Sequence, residues 1–141
     1  MKYEITSEKT PSREEIKILD QGLRQHANAI FESHGFTDVA FFLRDEAGAI
    51  VGGVSGNYGT FGWLYVDSLW VSENLRGEGY GNQLMDLIEG EALKHSCTKA
   101  YLNTMSFQAP EFYKKLGYTT FAELEDFPAG HSRIFLRKKL A

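Results

Sequence analysis

Leu69-Trp70-Val71-Ser72-Glu73-Asn74-Leu75-Arg76-Gly77-Glu78-Gly79-Tyr80-Gly81-Asn82 is the stretch whose reading decides the fold. Before it, residues 61–71 form an aromatic-rich run suited to a strand. After it, Tyr80, Leu84, Leu87, Ile88, Glu91 and Ala92 recur with the period of an amphipathic helix that ends near His95. Glycines 77, 79 and 81 let the backbone turn tightly and bring several N–H groups to face one point, at the positive end of the helix dipole. Such a turn suits an anion, most naturally a phosphate or diphosphate. It is not a P-loop, because G-x-x-x-x-G-K-[ST] is absent. It departs from G-x-G-x-x-G because position 82 is Asn, and the acidic residue that pattern wants about 20 residues on is missing.

Outward from the loop, the texture alternates between sheet and helix. Toward the N-terminus, residues 39–43 and 50–54 flank a turn at Asp45-Glu46-Ala47-Gly48 and read as a hairpin, with a second turn at Asn57-Tyr58-Gly59. On the long strand that follows, uninterrupted alternation puts Trp63, Tyr65, Asp67, Leu69 and Val71 on one face and Leu64, Val66, Ser68 and Trp70 on the other. Asp67 is then the odd residue in an apolar row. Further upstream, Pro11 and the capping box Ser12-x-x-Glu15 start a helix carried by Ile16, Leu19, Leu23, Ala27 and Ile30 and broken before Phe31, and residues 2–6 offer a short opening strand. Phe31, Phe36, Phe41 and Phe42 either fill the core or line a pocket. Toward the C-terminus come a strand at residues 100–102, a short helix opened by Ala109-Pro110 and stopped at Gly117, and strands at residues 118–121 and 134–136.

Composition narrows the function classes. The chain has 141 residues, enough for one ordinary core, and no repeat or linker divides it, so a single domain over residues 1–141 is expected. Its formal charge of −4 (15 Lys+Arg, 19 Asp+Glu) lacks the footprint of a general nucleic-acid binder. No stretch approaches the roughly 18 apolar residues of a membrane span, and the opening residues lack the apolar run of a signal peptide, so a cytoplasmic protein is expected. Cys97 is alone and cannot form an internal disulfide. His26, His34, His95 and His131 show no metal-ligand spacing, so no metal is expected.

A second motif, Ala109-x-x-Phe112-Tyr113-x-Lys115-x-Gly117-Tyr118, follows the first at a distance of one strand. With Leu69-Trp70-Val71 and Arg76-x-x-Gly79-x-Gly81 it resembles the GNAT family of N-acetyltransferases, whose acyl-CoA-binding core is [QR]-x-x-G-x-[GA] and whose later helix reads A-x-x-x-Y-x-K-x-G-[FY]. The likeness spans nearly the whole chain, and Ser106 to Pro110 resembles small bacterial members in particular. The implied fold is α/β (α+β): a mixed, mostly antiparallel central sheet of about six to seven strands flanked by helices. The implied co-substrate is acetyl-CoA.

The resemblance also distributes roles. The loop residues Arg76, Gly77, Glu78, Gly79, Tyr80, Gly81 and Asn82 hold the diphosphate. The strand before it, Leu69, Trp70 and Val71, receives the pantetheine arm as an added strand where the sheet splays apart, and a backbone N–H there polarises the thioester carbonyl. Where the family often has Asn seven residues before the helix tyrosine, this chain has Ser106; Asn103 or Gln108 is the substitute to look for. Tyr113, with an ordinary phenol pKa near 10, is the candidate acid for the departing thiolate. Asp67 is the candidate base for the amine, directly or through water. Glu125, in an acidic run on the acceptor side, and His131 are candidates for binding the acceptor, a small-molecule or peptide amine. A homodimer is a weak family expectation. A non-catalytic acyl-CoA sensor is the alternative, and a nucleotide-binding regulatory domain fits less well, lacking the P-loop lysine and the ribose acid.

Overall fold

The computed structural model describes residues 2–30 and 35–141, in two compact units divided at residue 34. In the first unit, helix α1 covers Arg13–Ile30. Its start is the expected capping box: the Ser12 amide donates to Glu15 Oε1 at 2.9 Å, and the Glu15 amide to Ser12 Oγ at 3.1 Å. None of its side chains is buried. The opening strand expected at residues 2–6 does not form; residues 2–8 are exposed and without regular structure, for no neighbouring strand pairs with them. Phe31 lies outside the described residues.

The second unit is one six-stranded sheet with two helices. Its elements are β1 (Phe36–Arg44), β2 (Ile50–Gly59), β3 (Trp63–Val71), α2 (Tyr80–Lys94), β4 (Lys99–Met105), α3 (Pro110–Lys115), β5 (Thr119–Glu125) and β6 (Ser132–Lys139), and the spatial order is β1-β2-β3-β4-β6-β5. Every pairing is antiparallel except β3 with β4. The parallel step is where the helix crossover belongs, since parallel neighbours cannot be joined by a tight hairpin. On one face, Val54, Leu64, Val66, Ala100, Leu102 and Leu136 meet Leu84, Met85, Ile88 and Ala92 of α2, and Tyr118 and Cys97 complete the buried set. Burying a side chain of this size contributes about 1.5–3 kcal/mol, so this layer is the main source of stability in the unit.

Two local expectations are corrected. The turn after β2 is not at residues 57–59: Asn57 and Tyr58 pair with Tyr65 and Leu64, and the chain reverses at residues 60–62, where Gly62 takes a φ of +86°. Tyr58 is held in the strand by packing on the core and by stacking on His95 at 4.6 Å between ring centroids. Second, the two faces of β3 do not alternate without interruption. Ser55 faces Ser68 but Gly56 faces Val66, so Asp67 is an extra residue bulged out of the ladder.

The bulge flips everything beyond it. Leu64 and Val66 are buried, and past Asp67 it is Leu69 and Val71 that pack against the same core, while Ser68 and Trp70 are exposed. Asp67 is therefore not enclosed in an apolar row; it is exposed. Opposite the bulge, a Cβ on Gly56 would collide with the carbonyl of Tyr65, so the bulge requires glycine there. Parallel pairing of β3 with β4 covers residues 63–66 and 99–102 and stops at the bulge. Beyond it, residues 67–71 of β3 and 103–105 of β4 are unpaired with each other, and the sheet opens as a wedge.

Gly56→Ala should cost about 2–3 kcal/mol, as overpacking of backbone does. Urea unfolding of the variant measures it, and a loss below about 0.5 kcal/mol would mean that the bulge does not need the missing side chain.

Candidate active site

The glycine loop joins the wide end of the wedge to α2. After Val71, a 3-10 turn at Glu73–Leu75 leads into Gly77 (φ +81°) and Gly79 (φ +88°), both in the left-handed region and with open space where a Cβ would stand. Gly81 does a different job. A Cβ there would meet the Phe112 ring at 3.1 Å, so its absence lets α3 close onto the first turn of α2. Arg76 Nε donates to the Val71 carbonyl at 3.0 Å and ties the loop back to the strand end. Among the described residues, the amides of residues 77–82 meet no acceptor, although the Gln83 amide already bonds back to the Gly79 carbonyl at 3.1 Å. Unpaired N–H groups at a helix start, flanked by the exposed loop of Glu78 and Asn82 and half-buried Tyr80, suit an anion such as a diphosphate.

The wedge supplies the second half of a coenzyme site. On its β3 side the main chain of Leu69, Trp70 and Val71 has β2 for a partner on one edge and no strand paired on the edge toward β4, although the Val71 carbonyl is already taken by Arg76 Nε. An extended arm can add there as a strand. The residues present thus fit acetyl-CoA: the cradle for its diphosphate and a free strand edge for its pantetheine.

On the other wall the three polar candidates are already engaged. Ser106 is pinned to the start of β6: its amide donates to the Ser132 carbonyl at 2.8 Å and its Oγ accepts from the Ser132 amide at 3.0 Å. Gln108 Oε1 accepts from the Met105 amide at 3.3 Å and closes the loop into α3. Asn103 donates from Nδ2 to Tyr65 Oη at 3.2 Å and accepts at Oδ1 from Arg133 Nε at 2.7 Å. Among the described residues, the Ser106 hydroxyl proton and the Gln108 Nε2 hydrogens remain uncommitted.

Tyr113 sits on α3, half-buried between Phe112 (5.2 Å) and Tyr118 (6.1 Å), each meeting it edge-on. Burial pushes its phenol above the ordinary value, and its hydroxyl meets no partner among the described residues. Tyr118 behind it is fixed differently. Its hydroxyl donates to Glu89 Oε2 at 2.8 Å, Lys138 Nζ donates to Glu89 Oε1 at 2.8 Å, and the Lys138 ammonium lies 5.4 Å from the Tyr118 ring centre. Burial and the Glu89 charge hold the Tyr118 proton in place. Two tyrosines five residues apart thus differ: the Tyr118 proton is bonded within the core, and among the described residues the Tyr113 hydroxyl has no hydrogen-bond partner.

Asp67 lines a cleft of about 400 Å³ on the sheet face away from α2, together with Asp38, Ala40, Ser55 and Asn57. Two carboxylates there make the cleft attractive to an ammonium group. A second cleft of about 330 Å³ shares Asn57 and is walled by Phe36, Phe61, Trp63, Tyr65 and Tyr101. Phe36 and Phe42 are exposed, whereas Phe41 packs on the core. Glu125 ends β5 opposite Ser132, exposed and without a side-chain partner among the described residues, and His131 is exposed with its ring 5.1 Å from Phe107.

Sequence reading missed Asp38, Tyr65, Glu89 and Arg133. A signal existed only for Glu89, an acid on the apolar side of the amphipathic helix; the other three depend on which strands become neighbours. Among the described residues no cluster of His, Cys, Asp and Glu is placed to hold a metal, and no helix is long and apolar enough to cross a membrane.

Known proteins with the same build carry one activity in their names. The chain is 34% identical over 112 residues to the Blasticidin-S acetyltransferase of Streptomyces morookaense, covering 79% of this chain and 82% of that one. A crystallised acetyltransferase of Bacillus cereus superposes with a TM-score of 0.84 at 38% identity, over 96% of this chain and 98% of that one. An Agrobacterium tumefaciens structure described as an acetyltransferase gives 0.87 at 29% identity over 99% of both chains. Residues 3–118 match the Acetyltransferase (GNAT) family, to which the chain therefore belongs.

Proposed function

We propose that the protein moves an acetyl group from acetyl-CoA to the primary amine of a small molecule by direct attack, with Asp67 as base and Tyr113 as acid. The observation that carries this reading is the wedge that opens at the Asp67 bulge, with the unpaired amides of residues 77–82 at its wide end. Acetyl-CoA supplies the acetyl group and leaves as a thiol. Everything else falls to this chain's residues.

The loop amides and Arg76 bind the diphosphate, and the free edge of β3 at Leu69 and Val71 aligns the arm and offers an N–H to the carbonyl oxygen. Ser106, the residue with an uncommitted hydroxyl proton, steadies the arm on the β4 side. Asp38 and Asp67 draw the ammonium form of the acceptor into their cleft, and Asp67 takes its proton, directly or through a water that its exposure admits. Tyr113 holds a proton at Oη for the sulfur. Its raised pKa keeps that proton at any physiological pH, and the free hydroxyl favours an acid over a filler of the core. A small molecule is favoured over a peptide because the Streptomyces relative is named for an antibiotic.

Tyr113→Phe should leave acetyl-CoA affinity unchanged by calorimetry while lowering kcat about a hundredfold; an unchanged kcat would remove Tyr113 from the chemistry. Asp67→Asn should reduce the rate most at low pH, where more of the amine must be deprotonated, and a pH-independent loss would make Asp67 a positioning group.

The alkaline limb gives a third expectation. A phenol whose folded pKa is raised contributes stability that is fully present below its unfolded value near 10 and is lost as pH rises through the folded value. Urea unfolding between pH 9 and 11.5 should therefore show a shallower alkaline decline for Tyr113→Phe than for the parent chain, and equal slopes would place the Tyr113 hydroxyl in water.

A further inference from the structure

Arg133, the second residue of β6, is held more firmly than a surface arginine and used less. Its Nε donates to Asn103 Oδ1 at 2.7 Å, and its guanidinium carbon lies 5.3 Å from the Phe127 ring centre and 6.0 Å from that of Phe135. Its two terminal nitrogens meet no acceptor among the described residues. A guanidinium has five N–H donors, so a half-buried one with a single bond made retains most of its capacity. One anchored nitrogen and rings beside the plane leave the fork pre-aimed, the geometry that suits a planar two-oxygen anion.

The position matters as much as the group. Arg133 is opposite Met105, past the Leu102 level where β3 and β4 part, so it lies at the open end of the wedge. Asn103, its anchor, is the first β4 residue beyond the parting and also donates to Tyr65 Oη. Tyr65 in turn faces Asn57, which lines the cleft of Asp38 and Asp67. One sheet face therefore presents two carboxylates at the bulge and, across Tyr65 and Asn103, an unspent guanidinium. Of the other arginines on this face, Arg137 is opposite Tyr101 at the closed end of the wedge, and Arg44, at the far end of β1, donates to the Gly48 carbonyl.

We propose that Arg133 binds a carboxylate of the acceptor, so that the amine acetylated by this chain is zwitterionic, its ammonium drawn to Asp38 and Asp67 and its carboxylate to the Arg133 fork. This rests on the acetyl-transfer reading above and adds the acceptor's chemical class. Asn103 is a positioning residue in this account, acting through Arg133.

The test uses matched amines that differ by one carboxylate, lysine against cadaverine and 4-aminobutyrate against propylamine, with acetyl-CoA and thiol release as the readout. The parent chain should favour the carboxylate member in kcat/KM by about thirtyfold, the scale of a charge-assisted pair. Arg133→Met should collapse that ratio toward one, and Arg133→Lys should keep part of it as a point charge without the fork. The proposal is overturned by a parent ratio near one, by a ratio that survives in Arg133→Met, or by a ratio lost in Arg137→Met and intact in Arg133→Met. Should Arg133→Met not fold, by its thermal midpoint, the parent ratio and Arg133→Lys decide. Transfer that ignores the carboxylate removes only the role of Arg133. Transfer to no amine, with acetyl-CoA binding demonstrated, removes the acetyl-transfer reading and this one together.

Discussion

One extra residue in β3 determines where the central sheet opens. Asp67 has no partner on β2, and it can be accommodated only because Gly56 opposite has no side chain to strike the Tyr65 carbonyl. The insertion changes the direction of the strand and exchanges its faces, as bulges do. Leu69 and Val71 then continue the core that Leu64 and Val66 began, while the strand leaves β4. A regular β3 could have continued its ladder with β4 to the end of that strand, where the register puts Leu69 opposite Met105, and narrowed the wedge. It would also have put Ser68 and Trp70 on the core side in place of Leu69 and Val71. Stability and access are thus reconciled at a single position.

The glycine loop shows how alike residues serve unlike ends. Gly77 and Gly79 are needed for backbone angles that side chains disfavour, and neither is crowded. Gly81 is crowded, by Phe112, and without that close approach α3 would stand off from α2 and carry Tyr113 with it. Behind Tyr113, the Glu89, Lys138 and Tyr118 cluster contributes more to placement than to net stability. A buried ion pair recovers its desolvation cost only with good geometry and further hydrogen bonds, and here the Tyr118 hydroxyl completes the carboxylate's shell.

Local patterns carried much of the fold in the sequence. The capping box at Ser12, the hairpin over residues 39–54, the glycine loop and the Gly117 stop each rest on neighbours a few residues apart, and each appears where spacing put it. Failures cluster where a distant partner decides. Asn57-Tyr58-Gly59 has turn-forming residues, yet Tyr58 gains more from His95 and the core than a turn would return. The bulge was invisible because alternation along β3 looks intact until β2 supplies its register. Residues 2–6 alternate like a strand but have no ladder to join. For the site, the glycine turn into α2 was legible because loop and helix start are contiguous. The cleft was not, since Asp38, Asn57 and Asp67 come from three strands.

The two groups proposed for proton transfer stand in contrasting surroundings, and the contrast follows from the fold. Tyr113 grows from a short helix pressed against the core, where loss of hydration favours the neutral phenol and no protein acceptor claims its hydrogen. Asp67 stands on an exposed bulge at the edge of a cleft, where Ser68 Oγ donates to its Oδ2 at 3.4 Å. An acid that must retain its proton until a thiolate forms benefits from the first setting, and a base that must pass a proton on to bulk water benefits from the second. Exchanging the two would defeat both: a phenol on the bulge would be one hydrogen-bond donor among many waters, and a carboxylate buried beside Phe112 and Tyr118 would resist ionisation. The bulge that exposes Asp67 is also where the pairing of β3 with β4 ends, so one departure from regular structure shapes both the strand edge and the surroundings of the proposed base.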